Sequence, residues 1–212
     1  MSFALGFDPM TENISGKSKT GALPINTIIR TARVDDAACI AVLATQVWLH
    51  TYATQGISAA ISQYTRTQLI PEKYLALLDD PMARLWVAEL DACLIAFAVV
   101  KFDAPCPVFA PGSAELQTLY VQEHFVGQGV GRQLLWVAED MARTQTGLPL
   151  WLTVNVHNAR AIGFYRRHGY TARGTSDFVM DDQRHENHVF IGGAPTCRSH
   201  DSHPQMPWPA RP

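Results

Sequence analysis

Three glycines alternate with other residues at positions 127, 129 and 131, between an apolar run that ends at Val121 and a stretch with helical spacing. Such a loop brings unpaired backbone N–H groups and the positive end of a helix dipole to one point, where a phosphate or diphosphate can bind. The pattern predicts an anion site. For a glycine-rich loop taken alone, a tight strand-to-helix turn without a ligand is the alternative.

Two common phosphate-binding motifs do not fit the chain. The dinucleotide fingerprint requires glycine at its first, third and sixth positions, but the sixth residue counted from Gly127 is Arg132. The Gly-Lys-Ser sequence at 16–18 would belong to a nucleotide triphosphatase loop only with a glycine at position 11, where Thr11 stands, and with an apolar strand before it. Both classes of protein are therefore excluded.

The composition indicates one ordinary globular domain. The 212 residues are 47% hydrophobic and 17% charged, with a formal charge of -2. No basic surplus is present to neutralise a nucleic-acid backbone, and no apolar run approaches the roughly 20 residues of a membrane span. We therefore expect neither a nucleic-acid nor a membrane partner, and because the start of the chain lacks an export signal, we expect a cytoplasmic location.

The four cysteines are too scattered for a metal or disulfide framework and are predicted to be free thiols: Cys39, Cys93, Cys106 and Cys197.

Both ends of the chain lack apolar periodicity. Residues 1–25 are rich in polar residues and glycine and are predicted to be a flexible leader, whereas residues 194–212 are rich in proline and are predicted to be a flexible tail. The working domain is accordingly expected at residues 26–193.

Hydrophobic periodicity predicts the elements of this domain. In the first half we expect a strand, three helices and a hairpin whose turn at Asp91 and Ala92 lacks the usual glycine: 27–32, a helix beginning near Asp35, 58–69, 72–78, 84–90 and 94–101. In the second half we expect a strand at 114–121, a helix after the glycines, a strand at 150–154, a helix at 159–168 capped by Asn158, and two short strands at 178–180 and 188–191 joined by a polar turn at 181–187.

Four segments taken together resemble the GNAT superfamily of acetyl-coenzyme A N-acetyltransferases. They are E-L-Q-T-L-Y-V at 115–121, V-G-Q-G-V-G-R at 126–132, N-x-x-A-x-x-F-Y at 158–165 and H-G-Y at 168–170. The resemblance covers most of residues 26–193 and implies an α/β (α+β) fold with a mixed, mostly antiparallel central sheet and helices on both faces. The segment from Phe178 to Ile191 further resembles, weakly, the bacterial polyamine (spermidine and spermine) acetyltransferase branch.

The resemblance implies that acetyl-coenzyme A is the cosubstrate and lies between the strand ending at Val121 and the strand at 150–154. Its pantetheine would contact the backbone of Leu119, Tyr120 and Val121, and Asn158 and Tyr165 would lie beside it. Its diphosphate would bind the loop formed by Val126, Gly127, Gln128, Gly129, Val130, Gly131 and Arg132. Val126 departs from the family, which usually has Arg or Gln there, and Arg132 either compensates or is a solvated first-turn arginine.

Acetyl transfer requires a free amine, and an alkylammonium with a pKa of about 10.4 supplies only about one such molecule in a thousand at neutral pH. Glu115 occupies the position of the glutamate base in the histone-modifying branch, although a strand glutamate in a salt bridge is the alternative, as is a water relay. Tyr165 matches the proton donor to the departing thiolate, with a packing role as the alternative.

Several functions stay open at this stage. The resemblance favours transfer to a small primary amine or polyamine by direct attack in a ternary complex. The alternatives are acetylation of a protein N-terminus or lysine and a non-catalytic acyl-coenzyme A-binding or interaction module; a homodimer is possible. We expect no metal, because His185 and His188 have no evident third ligand. We expect Trp48, Tyr52 and Tyr64 to form core or the wall of the acceptor pocket.

Overall fold

The computed structural model describes residues 26–108, 114–180 and 183–193, and these form a sheet with helices on both of its faces. The predicted leader and tail lie outside the described residues. The strands are β1 (Thr27–Thr31), β2 (Ala83–Leu90), β3 (Cys93–Lys101), β4 (Ala114–Val121), β5 (Leu150–Asn155), β6 (Tyr170–Met180) and β7 (Gln183–Gly192). The helices are α1 (Ala37–Tyr52), α2 (Ala59–Gln68), α3 (Pro71–Asp79), α4 (Val130–Thr146) and α5 (Ala159–Arg167).

The strands lie in the order β1-β2-β3-β4-β5-β7-β6. Every neighbouring pair is antiparallel except β4 and β5, which are parallel and are connected through α4. A parallel connection of this kind requires a crossover helix, and α4 provides it. The expected mixed, mostly antiparallel sheet is confirmed.

Each face of the sheet carries its own hydrophobic core. Leu134 and Leu135 of α4 pack with Phe190 and Tyr165 on one face, while Ile40 of α1 packs with residues of β2, β3 and α3 on the other. Burying a side chain such as Leu or Phe completely stabilises the fold by about 1.5–3 kcal/mol. Because the strands between the two cores are buried on both sides, β3 reads as a continuous apolar run in the sequence.

The predicted hairpin between β2 and β3 is confirmed, and its turn shows how the missing glycine is tolerated. Leu90 pairs with Cys93, and both turn residues adopt left-handed backbone conformations, with φ of 47° at Asp91 and 64° at Ala92. Two consecutive left-handed residues are what a tight turn between twisted strands requires. Asp tolerates this conformation better than Ala, for which it costs roughly 1–2 kcal/mol.

The end of the chain corrects the sequence prediction. The short strands predicted at 178–180 and 188–191 are parts of β6 and β7, which extend over 170–180 and 183–192, so the predicted polar turn at 181–187 is wrong from position 183 onward. β6 is an edge strand with a largely exposed and polar sequence, and it therefore lacks the apolar alternation that marks a half-buried strand. Arg184 and Asp177 form a cross-strand ion pair at 2.9 Å.

Cys39, Cys93 and Cys106 are free thiols, and Cys197 lies outside the described residues. Among the described helices, none combines the length and the apolar character that a membrane span requires.

Candidate active site

A gap opens in the middle of the sheet because β4 and β5 pair over only two positions. Ala114 pairs with Leu150 and Glu115 with Trp151, and beyond these the two strands separate. β4 also carries a bulge, since Val99 of β3 pairs with Thr118 and the next position along β3 pairs with Leu116. Beyond Glu115, the edge of β4 that faces β5 is not paired with that strand. Its backbone can therefore bind an extended chain inserted from solvent.

The glycine loop lies after the far end of β4 and is exposed. Gly127 and Gly129 have left-handed backbones with φ of 83° and 85°. The Val126 N–H donates to Glu123 at 3.2 Å, and the next backbone hydrogen bond starts at Gln133, which donates to Gly129 at 3.1 Å. Among the residues that the structure describes, the N–H groups of positions 127–131 make no backbone hydrogen bond. Donors converging at the start of a helix fit an anion.

Gly131 lies where the first turn of α4 packs against β4 and α5. A Cβ atom at this position would lie 3.4 Å from Val121 Cγ2 and 3.7 Å from the Phe164 ring. These are ordinary van der Waals distances, so the first turn of α4 lies in contact with both β4 and α5. The loop, the end of β4 and α5 thus lie together around the gap.

α5 begins beside the gap and carries Tyr165. The Asn158 side chain accepts a hydrogen bond from the Ala161 N–H at 3.0 Å, which confirms Asn158 as the N-cap. Tyr165 is 8% exposed, and its ring packs against Phe164 and Tyr170 with centroid distances of 5.1 and 5.6 Å. Burial raises the pKa of the Tyr165 phenol, which therefore stays protonated at neutral pH.

A cleft of about 680 Å³ joins the gap to the face of the sheet that α1, α2 and α3 cover. Its most distinctive feature is a set of aromatic side chains: Trp48, Tyr52, Tyr64, Tyr74, Tyr120 and Tyr165. The Trp48 ring lies 4.6 Å from Tyr64 and 4.9 Å from Tyr52, so the three rings form a stack that joins α1 to α2. Burial raises the pKa of Tyr120, with a further contribution from neighbouring phenols. Neutral phenol groups therefore converge on one space.

Among the residues that the structure describes, few charged side chains line the cleft. Its charged residues are Lys73 and Asp80, both contributed by the region of α3. Asp80 forms an ion pair with Lys101, whose hydrogen bond holds the pKa of this carboxyl below its usual range. A cationic acceptor would consequently meet aromatic rings, hydroxyls and side-chain amides rather than a cluster of carboxylates, and aromatic rings interact favourably with an ammonium group.

Glu115 lies at the closed end of the gap, where it faces Lys101 of β3 across the strand pair. Burial raises the pKa of its carboxyl, and the nearby Lys101 partly offsets this effect. The residues of β4 that line the cleft run from Leu116 to Tyr120 and do not include Glu115. Direct contact between Glu115 and an acceptor is therefore not provided by this arrangement, and a water molecule would have to connect them.

The structure brings most of the predicted site residues together. Leu119, Tyr120, Asn158 and Tyr165 line the cleft, and Val121 packs against Gly131. The remaining predicted residues form the exposed loop and the first turn of α4: Val126, Gly127, Gln128, Gly129, Val130, Gly131 and Arg132. Gln128 Nε2 donates to the His124 carbonyl at 2.7 Å, which fixes its side chain on the loop itself.

The sequence analysis placed coenzyme A beside β5 but singled out none of the individual residues that α3, β5 and β7 contribute to the cleft. These additional residues include Tyr74, Asp80, Thr153, Asn155 and Asn187. Asp80 belongs to an acidic pair at 79–80, and such a pair of charges attracts cations. Asp79 itself is exposed at the end of α3.

Comparison with known proteins agrees with this geometry. The model of the acetyltransferase (GNAT) family matches residues 45–170. An uncharacterised N-acetyltransferase in the pepI 3' region of Lactobacillus delbrueckii subsp. lactis is 35% identical over 39% of this chain, and the match spans 47% of that relative. The spermidine N(1)-acetyltransferase of Thermoplasma acidophilum is 27% identical over 72% of this chain and 94% of its own length. The crystal structure of the PaiA N-acetyltransferase of T. acidophilum in complex with coenzyme A covers 80% of this chain and 100% of its own at a TM-score of 0.67 and 22% identity.

The matched family segment covers more than half of the chain, and the chain therefore belongs to the GNAT acetyltransferase family. It is an N-acetyltransferase that uses acetyl-coenzyme A as its cosubstrate.

Proposed function

We propose that the enzyme transfers the acetyl group of acetyl-coenzyme A to a small primary amine, with polyamines as the favoured acceptors, by direct attack in a ternary complex. The gap between β4 and β5 carries this proposal, because it connects the exposed glycine loop at one end with Tyr165 and the aromatic cleft at the other. A single extended thioester could thus be held at both ends while an amine enters from the cleft.

The cosubstrate would be held mainly by backbone groups. Residues 127–131 offer N–H donors to the diphosphate, and the unpaired edge of β4 at Leu119 and Val121 offers hydrogen bonds to the pantetheine amides. Val126 provides no side-chain hydrogen bond there. This departure removes only one contribution from a site that depends chiefly on the start of α4.

The amine must lose a proton before or during its attack on the thioester carbonyl. Glu115 is our candidate base, acting through a water molecule because it lies just outside the cleft lining. Burial raises the pKa of the Glu115 carboxyl, which makes the carboxylate a better proton acceptor than an exposed glutamate. The Lys101 ammonium, itself paired with Asp80, limits this increase.

As the C–S bond breaks, negative charge develops on the sulfur of coenzyme A. Tyr165 is our candidate for the group that donates a hydrogen bond to this sulfur. Because burial keeps its phenol protonated, the donor is available throughout the neutral pH range. The proton removed from the amine ultimately balances the charge of the released thiolate; an alkyl thiol such as cysteine has a pKa of about 8.5.

Two observations support a small cationic acceptor. A spermidine N(1)-acetyltransferase is similar to this chain over most of both proteins. In addition, the described cleft presents Tyr and Trp rings, which bind alkylammonium groups through cation–π contacts worth about 0.5–2 kcal/mol each. An acceptor held in this way loses less binding free energy in salt than one held by exposed carboxylates.

A thiol-release screen with acetyl-coenzyme A tests the proposal. The panel contains spermidine, spermine, monoamines, amino acids, aminoglycosides and peptides with free N-termini or lysines. We expect release to be fastest with a small amine, and mass spectrometry should show one added acetyl group on that amine. Release with peptides alone would support the protein-acetylating alternative, and coenzyme A binding without release from any acceptor would support a non-catalytic module.

A further inference from the structure

An ion pair closes the open end of the gap between β4 and β5. Glu123 lies in a short 3₁₀ turn directly after β4, and Arg160 lies in the first turn of α5, which follows β5. Arg160 Nη1 donates to both carboxylate oxygens of Glu123, at 2.7 and 2.8 Å. The gap is thus bounded by the strand pairing at Glu115 and Trp151 at one end and by this ion pair at the other.

The ion pair is accessible from the region in which a ligand would enter. The side chains of Arg160 and Glu123 are 56% and 48% exposed. Arg160 lines a depression of about 280 Å³ that adjoins the main cleft, with which it shares Thr51, Tyr52 and Asn158. His50 Nε2 of α1 lies 3.6 Å from the Glu123 carboxylate, and His124 also interacts with it electrostatically. A ligand in the gap would therefore reach the guanidinium without first displacing any core side chain.

The same pair lies close to the predicted diphosphate site. Gly127 follows Glu123 by four positions, and even a fully extended segment of that length spans at most about 14 Å. A carboxylate so near a diphosphate repels it, whereas a guanidinium attracts it. Arginine binds phosphate oxygens as readily as carboxylate oxygens, so a phosphate can take the place of the Glu123 carboxylate on this guanidinium.

We propose that Arg160 is a phosphate-binding residue of the coenzyme A site, and that Glu123 holds its guanidinium across the mouth of the gap until a coenzyme phosphate replaces the carboxylate. This inference rests on the proposed function, because it assumes that coenzyme A occupies the gap. Glu123 then lowers the affinity for coenzyme A slightly in the free protein and positions Arg160 for the incoming phosphate.

The exchange of the Glu123 carboxylate for a coenzyme phosphate on Arg160 is tested by calorimetric titration of Arg160→Gln and Glu123→Gln. We expect Arg160→Gln to weaken coenzyme A binding by about three- to tenfold, within the range for one exposed charged hydrogen-bonding group, and to leave pantetheine, which has no phosphate, within about twofold of wild type. Glu123→Gln should tighten coenzyme A binding by about two- to fivefold. Titrations with 4'-phosphopantetheine and dephospho-coenzyme A then identify the phosphate at which the effect of Arg160→Gln first appears.

Arg143→Gln provides the matched control. Arg143 pairs with Asp140 on α4 at 2.8 Å, with exposed fractions of 50% and 48%, so it resembles Arg160 in charge and exposure but is outside the proposed site. Its affinity for coenzyme A should stay within about twofold of wild type.

Three results would overturn the exchange: unchanged coenzyme A binding in Arg160→Gln, an equal loss of pantetheine binding, or weaker coenzyme A binding in Glu123→Gln. The last two would show that the ion pair only joins α5 to the end of β4. If the wild-type protein failed to bind coenzyme A at all, both the proposed function and the exchange would be wrong. A wild type that binds coenzyme A normally while Arg160→Gln has no effect would contradict the exchange alone.

Discussion

Replacing Tyr165 by phenylalanine removes one hydroxyl from the meeting point of the gap and the aromatic cleft. The ring itself should remain in place, because its neighbours Phe164, Tyr170 and Phe190 contact the ring face and edge at centroid distances of 5.1, 5.6 and 6.4 Å. A substitution that conserves volume in this way usually costs less than about 1.5 kcal/mol of unfolding free energy. The variant should therefore fold normally and bind coenzyme A within about twofold of wild type.

The expected loss of rate follows from the protonation state of Tyr165. Burial raises the pKa of this phenol, whereas an alkyl thiol such as cysteine titrates near 8.5, so full proton transfer from Tyr165 to the thiolate is unfavourable. The contribution is then that of a hydrogen bond to a charged group, about 1.5–3 kcal/mol. At about 1.36 kcal/mol for each factor of ten, kcat should fall by about 10- to 150-fold.

The assay measures kcat by thiol release at saturating acetyl-coenzyme A and amine, together with coenzyme A affinity by calorimetry. Tyr170→Phe is the matched control, because Tyr170 belongs to the same ring cluster but does not line the cleft. Its kcat should change by less than about threefold, since it has no contact with the reacting atoms. Unchanged kcat in Tyr165→Phe, or equal losses in both variants, would refute the assignment of Tyr165 as the donor to sulfur.

Three further perturbations test other parts of the structure. Glu115→Gln should lower kcat/KM, corrected for the fraction of free amine, by about 10²-fold, and should abolish the rise with pH that accompanies ionisation of a carboxyl whose pKa is raised by burial. Ala92→Gly should stabilise the protein by about 0.5–1 kcal/mol in urea denaturation, because glycine removes the strain of a left-handed alanine and offsets its own greater freedom in the unfolded chain. Asp36→Asn should cost about 1–3 kcal/mol at neutral pH, because Asp36 accepts two hydrogen bonds from Arg30, at 2.7 and 2.9 Å, in a partly buried site.

The fall in stability at acid pH shows in which direction Asp36 acts. The Arg30 guanidinium holds the pKa of this carboxyl below its usual range, so the stabilisation is fully present above the unfolded value of about 3.9 and is lost as the pH falls through the lowered folded value. The free energy of unfolding of Asp36→Asn should therefore fall less steeply as the pH is lowered. Asp35→Asn, at an exposed position in the same turn, should behave like wild type. A fall in Asp36→Asn as steep as in wild type would contradict the pairing. A loss of stability in Ala92→Gly would contradict the prediction for that turn. An unchanged pH profile of kcat/KM in Glu115→Gln would contradict the role of Glu115 as a base.

Local signals account for the parts of the structure that the sequence predicted. The glycine loop, the Asn158 cap and the tight turn at Asp91 and Ala92 each depend on a few neighbouring residues, and each adopts the expected conformation. The family motifs lie on β4, α4 and α5, the elements that enclose the gap. These parts could therefore be read from short windows of sequence.

The acceptor cleft could not be read in this way, because its residues come together only through tertiary contacts. Tyr74 and Tyr120 lie 46 positions apart in the chain, yet both pack edge-on against the Phe97 ring, at 5.8 and 5.5 Å. No pattern within α3 marks Tyr74 as part of a site rather than of a core. The length of β6 was underestimated for a different reason. A polar edge strand is specified by its pairing with β7, and its own sequence resembles a loop.

A crystal structure of the protein with coenzyme A is the most direct test of the central claim, that the gap between β4 and β5 holds the cosubstrate. We predict pantetheine density beside the backbone of Leu119 and Val121, a diphosphate on the N–H groups of residues 127–131, and the sulfur within hydrogen-bonding distance of the Tyr165 hydroxyl. Coenzyme A bound elsewhere, with the gap empty and the loop amides turned to solvent, would contradict the account.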